Sequence, residues 1–130
     1  MVSLRSEDLP LSFAQLGIWF ERQFYASEPS HNVGELVEIS GPVIPELFLQ
    51  CLALAADESQ ALNSTFLDNE AGPRQIIGKS PSRSAIQFMD FSNEPDPRRA
   101  MHDAVRQRME APRIPTDPGL FSFCLIKLAS

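Results

Sequence analysis

Histidine is almost missing from this chain. His31 and His102 are the two in 130 residues, and neither has a second histidine, an Asp-Gly pair or a serine at a spacing that acid–base or triad chemistry uses. His31 falls in a loop and His102 on the surface of a helix, so neither reads as a catalytic or metal-ligating residue. Cysteine is as sparse. Cys51 and Cys124 make no disulfide framework in a chain of this size, no Cys/His spacing suits zinc, and their apolar neighbours predict buried free thiols. Positive charge is in deficit: eleven Lys and Arg against seventeen Asp and Glu leave a net charge of −6. Nucleic acid is disfavoured, because phosphates need clustered cations. The glycines are scattered, so no phosphate-cradling loop exists. No Gly-x-Ser-x-Gly marks a nucleophile. Glu7-Asp8 and Asp57-Glu58 are adjacent carboxylates rather than opposed ones. No apolar run approaches the roughly 18 residues a membrane span needs. The polar start, with Arg5, Glu7 and Asp8, does not read as a secretory leader. The expectation is a cytoplasmic protein with no catalytic residue, cofactor or metal of its own.

What is present is punctuation and periodicity. The eleven prolines fall between periodic segments rather than inside them. Leu4 to Leu11 is a lead-in that can pair as an edge strand. Ser12 and Gln15 then form a capping box, with Leu11 and Leu16 placed as a hydrophobic staple. Phe13, Leu16, Phe20 and Phe24, flanked by Trp19, predict a helix over Phe13 to Phe24 with an aromatic buried face. Val33 to Ser40 alternates as a half-buried strand, with Val33, Val37 and Ile39 on one face, and Gly41-Pro42 stops it. Pro45 opens a second helix that runs to about Ser59. Leu47, Cys51, Leu54 and Ala55 form its main stripe, which Phe48 and Leu52 widen.

Asp68 to Gly72 is a turn between short strands at Thr65 to Leu67 and Arg74 to Ile77. Gly78 to Ser84 is loop, and Ala85 to Phe91 is another strand. Asp96 caps a third helix with Pro97 at its first position. Met101, Ala104, Val105 and Met109 make its buried stripe, while Arg98, Arg99, Arg106 and Arg108 are spread around a solvated side. Pro112, Pro115 and Pro118 end it. Leu120 to Leu128 is apolar on both faces, which predicts a strand covered on both sides. The layout predicts one α+β domain over 1–130, a mixed β-sheet with about three helices packed on it.

The opening helix carries more than its spacing. Ser12, Ala14, Gln15, Gly17 and the Ile18-Trp19 pair resemble the first signature of the condensation domains of nonribosomal peptide synthetases. Ser30 to Val33 resembles the aromatic-Asn pair that leads that family into a strand, and Leu36 to Gly41 resembles the strand itself. The segment from Glu58 to Phe66 resembles the family's second signature, Arg-His-Glu-x-Leu-Arg-Thr-x-Phe, in decayed form. Leu62 and Phe66 keep its packing positions, and Asn63 stands where the family has an Arg thought to support the catalytic loop. Gly72 to Ile77, with Gln75, resembles the hairpin return. Leu120 to Leu128 resembles the strand that precedes the catalytic segment. The flavour is closest to the domains that head siderophore-type synthetases.

The resemblance implies part of the first of two chloramphenicol-acetyltransferase-like lobes, truncated before the His-His-x-x-x-Asp-Gly signature. It further implies amide formation between substrates on phosphopantetheine-bearing carrier proteins, a reaction this piece alone is not expected to catalyse. The implied partners are an adenylation domain, a carrier protein and the rest of the condensation domain. A homodimer through an open sheet edge is also expected. The alternative is a natural remnant kept as a non-catalytic docking platform for neighbouring synthetase domains.

Overall fold

A computed structural model describes residues 7–25, 31–78, 85–113, 116 and 120–129. The expectations at 4–6, 26–30, 79–84, Pro115, Pro118 and Gly119 lie outside the described residues. The elements run β1 (Glu7–Pro10), α1 (Phe13–Phe24), α2 (Pro45–Glu58), β2 (Ser64–Leu67), β3 (Arg74–Ile77), β4 (Ile86–Asp90), α3 (Pro97–Glu110) and β5 (Phe123–Lys127). The helix starts follow from their caps. Ser12 Oγ accepts from the Gln15 backbone N–H at 3.3 Å while Gln15 Oε1 accepts from the Ser12 N–H at 2.8 Å. A cap of this kind is worth about 1 kcal/mol. Asp96 accepts from the Arg99 N–H at 3.0 Å, with Pro97 behind it. Pro45 opens α2 without a side-chain cap from Ile44.

Among the described residues the strands form two small sheets, one antiparallel and one parallel, with the three helices of the expected α+β layout. β1, β3 and β2 are antiparallel, with Phe66 and Leu9 both opposite Gln75. The β2–β3 turn closes at Gly72, whose φ of +104° suits only a residue without a side chain. β4 and β5 are parallel, Phe88 opposite Leu125, and α3 is the crossover that a parallel pair requires. α2 packs against this second sheet.

Five expectations need correction. β5 pairs with β4 and with no second strand among the described residues, so it is not a central strand here. Residues 33–40 form no ladder: their backbone runs free of backbone hydrogen bonds to any described residue. In α1 the aromatic face is outside. Phe13 is 94% and Phe24 81% exposed, and the inward line is Gln15, Trp19 and Arg22. In α2 the inward residues are Phe48, Leu49, Leu52, Ala53 and Ala56, while Leu47, Cys51, Leu54 and Ala55 face solvent. Both helices are apolar on two sides, so periodicity alone could not choose between their faces. The exposed position of Cys51 also corrects its reading as a buried thiol, and Cys124 is half-buried. α3 is as expected: Met101 is buried, and Ala104, Val105 and Met109 are half-buried beside it. The buried apolar residues among those described are Leu11, Trp19, Ala56 and Met101.

Candidate functional site

Of the residues singled out by sequence, Gln15, Trp19, Phe66 and Gln75 come together between α1 and the antiparallel sheet. Gln15 is half-buried on the inward line of α1. Its Nε2 donates to Gln75 Oε1 at 3.1 Å, Gln75 Nε2 donates to Ser64 Oγ at 2.9 Å, and Ser64 Oγ donates to the Gln60 carbonyl at 2.8 Å. One relay of amides and a hydroxyl thus ties α1 to β3, to β2 and to the turn that follows α2. Ser64 is buried, so the two links at its hydroxyl satisfy a group that would otherwise cost about 1–3 kcal/mol unpaired. The register explains the meeting: Ser64 stands opposite Ile77 and Phe66 opposite Gln75, which puts all four on one face of the hairpin.

The other motif residues have separate places. Ser12 is the cap. Ala14 and Gly17 are exposed on α1, and a Cβ at Gly17 would meet nothing within 4 Å. Leu62 is half-buried in the turn before β2, and its N–H donates to Ser59 Oγ at 3.4 Å. Asn63, in the position of the family's Arg, is buried and caps the end of α2. Its Nδ2 lies 2.7 Å from the Ala56 carbonyl and 2.8 Å from that of Ser59. It also lies 3.1 Å from the Asp57 carbonyl, so one side-chain amide gathers three carbonyls at the C-terminal end of α2.

Beside the relay is a cleft of about 230 Å³, lined among others by Leu11, Gln15, Trp19, His31, Asn32 and Phe66. Trp19 is buried, and its indole N–H meets no acceptor among the described residues. His31 Nε2 lies 3.2 Å from Glu21 Oε2, but without the alignment of a hydrogen bond. Arg22 is also buried; it donates to the Tyr25 carbonyl at 3.4 Å and to the Arg113 carbonyl. Asn32 Nδ2 donates to the carbonyls of Met109 and Ala111 at 2.7 and 2.8 Å, tying the loop after α1 to the end of α3. His102 is exposed on α3, as its polar neighbours suggested.

Neutral amides and a hydroxyl can hold a geometry, but they cannot take a proton from an amine. The shifted groups lie away from the cleft. Arg98 beside Glu38 lowers that carboxyl, hydrogen bonds from Ser92 lower Asp90, and burial raises the Cys124 thiol. Among the described residues no three His, Cys, Asp or Glu side chains converge on a metal site. No helix is long and apolar enough to cross a membrane. Sequence reasoning found Gln15 and Gln75 but missed Ser64, Gln60 and Arg22. The period-2 face of the hairpin and the i, i+4, i+7 line through Gln15, Trp19 and Arg22 were the signals available.

No family model matches the chain. A dimodular nonribosomal peptide synthase of Bacillus subtilis (strain 168) is 35% identical over 102 residues, which is 78% of this chain and 4% of that protein. An isonitrile lipopeptide synthase of Streptomyces coeruleorubidus is 30% identical over 120 residues, 92% of this chain and 8% of its own length. The crystal structure of the starter condensation domain of rhizomide synthetase superposes with a TM-score of 0.87 at 30% identity, over 95% of this chain and 30% of that one. The chain thus spans under a tenth of these curated relatives and under a third of the solved domain.

Proposed function

The chain belongs to the condensation domains of nonribosomal peptide synthetases, and from that premise we propose that residues 1–130 supply part of the first, acyl-transfer lobe and form no catalytic centre by themselves. The observation that carries this is the near-complete superposition on less than a third of a starter condensation domain. The reaction of the whole domain is amide formation. An amine held on one carrier protein attacks the thioester carbon held on another; the N–C bond forms, the C–S bond breaks, and the amine proton ends on the departing phosphopantetheine thiol. A positioned base contributes about 10²- to 10⁴-fold to such a step. The 130 residues hold no His-His-x-x-x-Asp-Gly sequence to provide one.

In this reading Ser12, Ala14, Gln15, Gly17, Trp19, Leu62 and Phe66 are structural. Among them Ser12 and Gln15 cap α1, and Gln15 pins it to the hairpin through Gln75, which fixes the sheet on which a catalytic segment would be mounted. The partners are the remainder of the condensation domain, an adenylation domain and phosphopantetheine-bearing carrier proteins, all in the cytoplasm. An isolated chain would also pair with a second copy through the free edge of β5, which light scattering across a concentration series would detect. The test of function is an assay of the purified chain with donor- and acceptor-loaded carrier proteins. No amide product above the uncatalysed background is expected, and turnover would refute the reading.

A second reading rests on Asn63. The family's Arg position is occupied here by a residue whose side chain is spent on the carbonyls at the end of α2, which fits a copy released from catalysis and kept as a docking platform. The reading frame after Ser130 separates the two. A His-His-x-x-x-Asp-Gly within a few tens of residues supports the first, and a stop codon or an abrupt adenylation-domain sequence supports the second.

A further inference from the structure

We propose that the outer stripe of α2, made by Leu47, Cys51 and Leu54, pairs antiparallel with the same stripe of a second copy, about a two-fold axis at Cys51. α2 lies on the β4–β5 sheet, and this stripe is turned away from it. The contact is therefore separate from the free edge of β5.

Spacing, self-match and charge carry the proposal. Ile44, Leu47 and Leu54 are 64%, 55% and 64% exposed, and Cys51 is exposed between the two leucines. Positions 44, 47, 51 and 54 alternate steps of three and four, which is the repeat of a coiled-coil seam. No charge interrupts that seam. α2 has no Lys or Arg, and its acids, Glu46, Asp57 and Glu58, stand at its two ends. The inward side of the helix is already taken up by the sheet, so only a second body can cover the outer one.

The stripe complements itself. Cys51 stands near the middle of Pro45–Glu58, and an antiparallel pair crossing there sets Leu47 against Leu54 of the second copy, and the reverse. That reciprocity is what an isologous contact requires. The ends match as well. α2 begins without a side-chain cap and ends on acids with no basic residue in its last turn, so within one chain those carboxylates sit at the unfavourable end of the helix dipole. In the antiparallel pair Glu58 comes beside the start of the other α2, where open N–H groups and the positive end of the dipole favour a carboxylate. A parallel pair would bring acidic ends together instead. The seam is only about 21 Å long, short of the roughly 1,200 Å² that a stable interface buries, so the pair is reversible.

The thiol at the axis makes the contact readable. With helix axes about 10 Å apart and Cα atoms about 2.3 Å off each axis, the two Cys51 Cα atoms stand about 5 Å apart, within the reach of a disulfide. The purified 130-residue chain is treated with diamide, which takes two protons and two electrons from a pair of thiols, and a non-reducing gel is read across a concentration series. A linked dimer is expected that persists in Cys124→Ser and is absent from Cys51→Ser. Leu54→Glu, at an exposed site, should leave the circular dichroism of the chain unchanged but slow the linkage by about tenfold or more, because it puts a charge into an apolar contact. Sedimentation velocity of the reduced chain should show the same loss of association with no disulfide involved. Glu58→Lys should slow the linkage by a smaller factor, since it puts a cation at the positive end of the other helix. A chain that stays monomeric and does not link leaves the stripe to the remainder of the condensation domain; that overturns the proposal and spares the family reading, which rests on the carrier-protein assay. Linkage at an equal rate in Leu54→Glu would mark random collision or pairing through another surface, and would overturn it too.

Discussion

α3 and α1 are both amphipathic helices with a side-chain cap, yet they stand differently in the chain. α3 turns its single apolar stripe inward, with Met101 buried and Ala104, Val105 and Met109 beside it, and pairs arginines off that stripe, Arg98 with Glu38 and Arg106 with Asp103. α1 turns Gln15, Trp19 and Arg22 inward and leaves Phe13, Phe20 and Phe24 outside. Gly17 lies on the same outer line, where its missing side chain meets nothing. One helix is finished by this chain and the other is not. The difference teaches that the buried face of a helix is set by what the rest of the fold provides, and a part of a domain provides cover for only some of its faces.

The sharpest way to break this comparison is to truncate one residue on each kind of face. Met101→Ala should destabilise the chain by about 2–4 kcal/mol, the usual result of emptying a filled core site. Phe24→Ala, although the side chain is larger, should change stability by less than about 0.5 kcal/mol. Urea or thermal melts of the two variants decide it. A larger loss for Phe24→Ala would mean that the aromatic side of α1 is covered in solution.

A second cut goes through the relay that joins the unfinished helix to the sheet. Gln75→Ala removes both the acceptor of Gln15 and the donor to Ser64. A loss of about 1–3 kcal/mol is expected, because a buried hydroxyl is left with one partner fewer. Gln15→Ala should cost a similar amount, and the double variant should lose less than the sum of the two, since both belong to one network. Full additivity in a double-mutant cycle would show that the relay does not act as a unit.

How much of this was legible follows from the same contrast. The bounds of α1, α3 and β3 and the start of α2 could be read from Ser12, Asp96, Pro97, Pro45 and local alternation, because caps and prolines act within a few residues. The stripe of α3 was legible because that helix has only one apolar side. The inward faces of α1 and α2 were not, because each has two, and tertiary cover decides between them. The strand at Val33 to Ser40 was legible as alternation but not as a ladder, since pairing depends on another segment. Of the candidate site, Gln15 and Gln75 were visible as motif residues. Their link through Ser64 was not, because it depends on the register of a hairpin whose closing turn fixes which residues stand opposite. Asn63 was legible as a departure from the family pattern, and its hold on the end of α2 came only with the fold.

Gly17→Ala gives a smaller effect of opposite sign. With no heavy atom near the added methyl, alanine should stabilise the isolated chain by about 0.5–1 kcal/mol through helix propensity and a more restricted unfolded chain. A destabilised variant would reveal something packed close against that line of the helix.

The smallest effect probes the tether between α3 and the 33–40 segment. Arg98 holds the Glu38 carboxyl below its ordinary value, so the folded state binds a proton at Glu38 less readily than the unfolded chain does. The pair's contribution is therefore fully present above the ordinary carboxylate range and is lost as the pH falls through the lowered folded-state value. Both side chains are well exposed, so the contribution is small and screened by salt. Comparing the melting temperature of Glu38→Gln with that of the parent should show a slight deficit at neutral pH and low salt. The deficit should close in strong acid, and it should also close at neutral pH in about 1 M salt. A deficit that persisted under both conditions would mean that Glu38 holds the segment by packing of its methylenes rather than by charge.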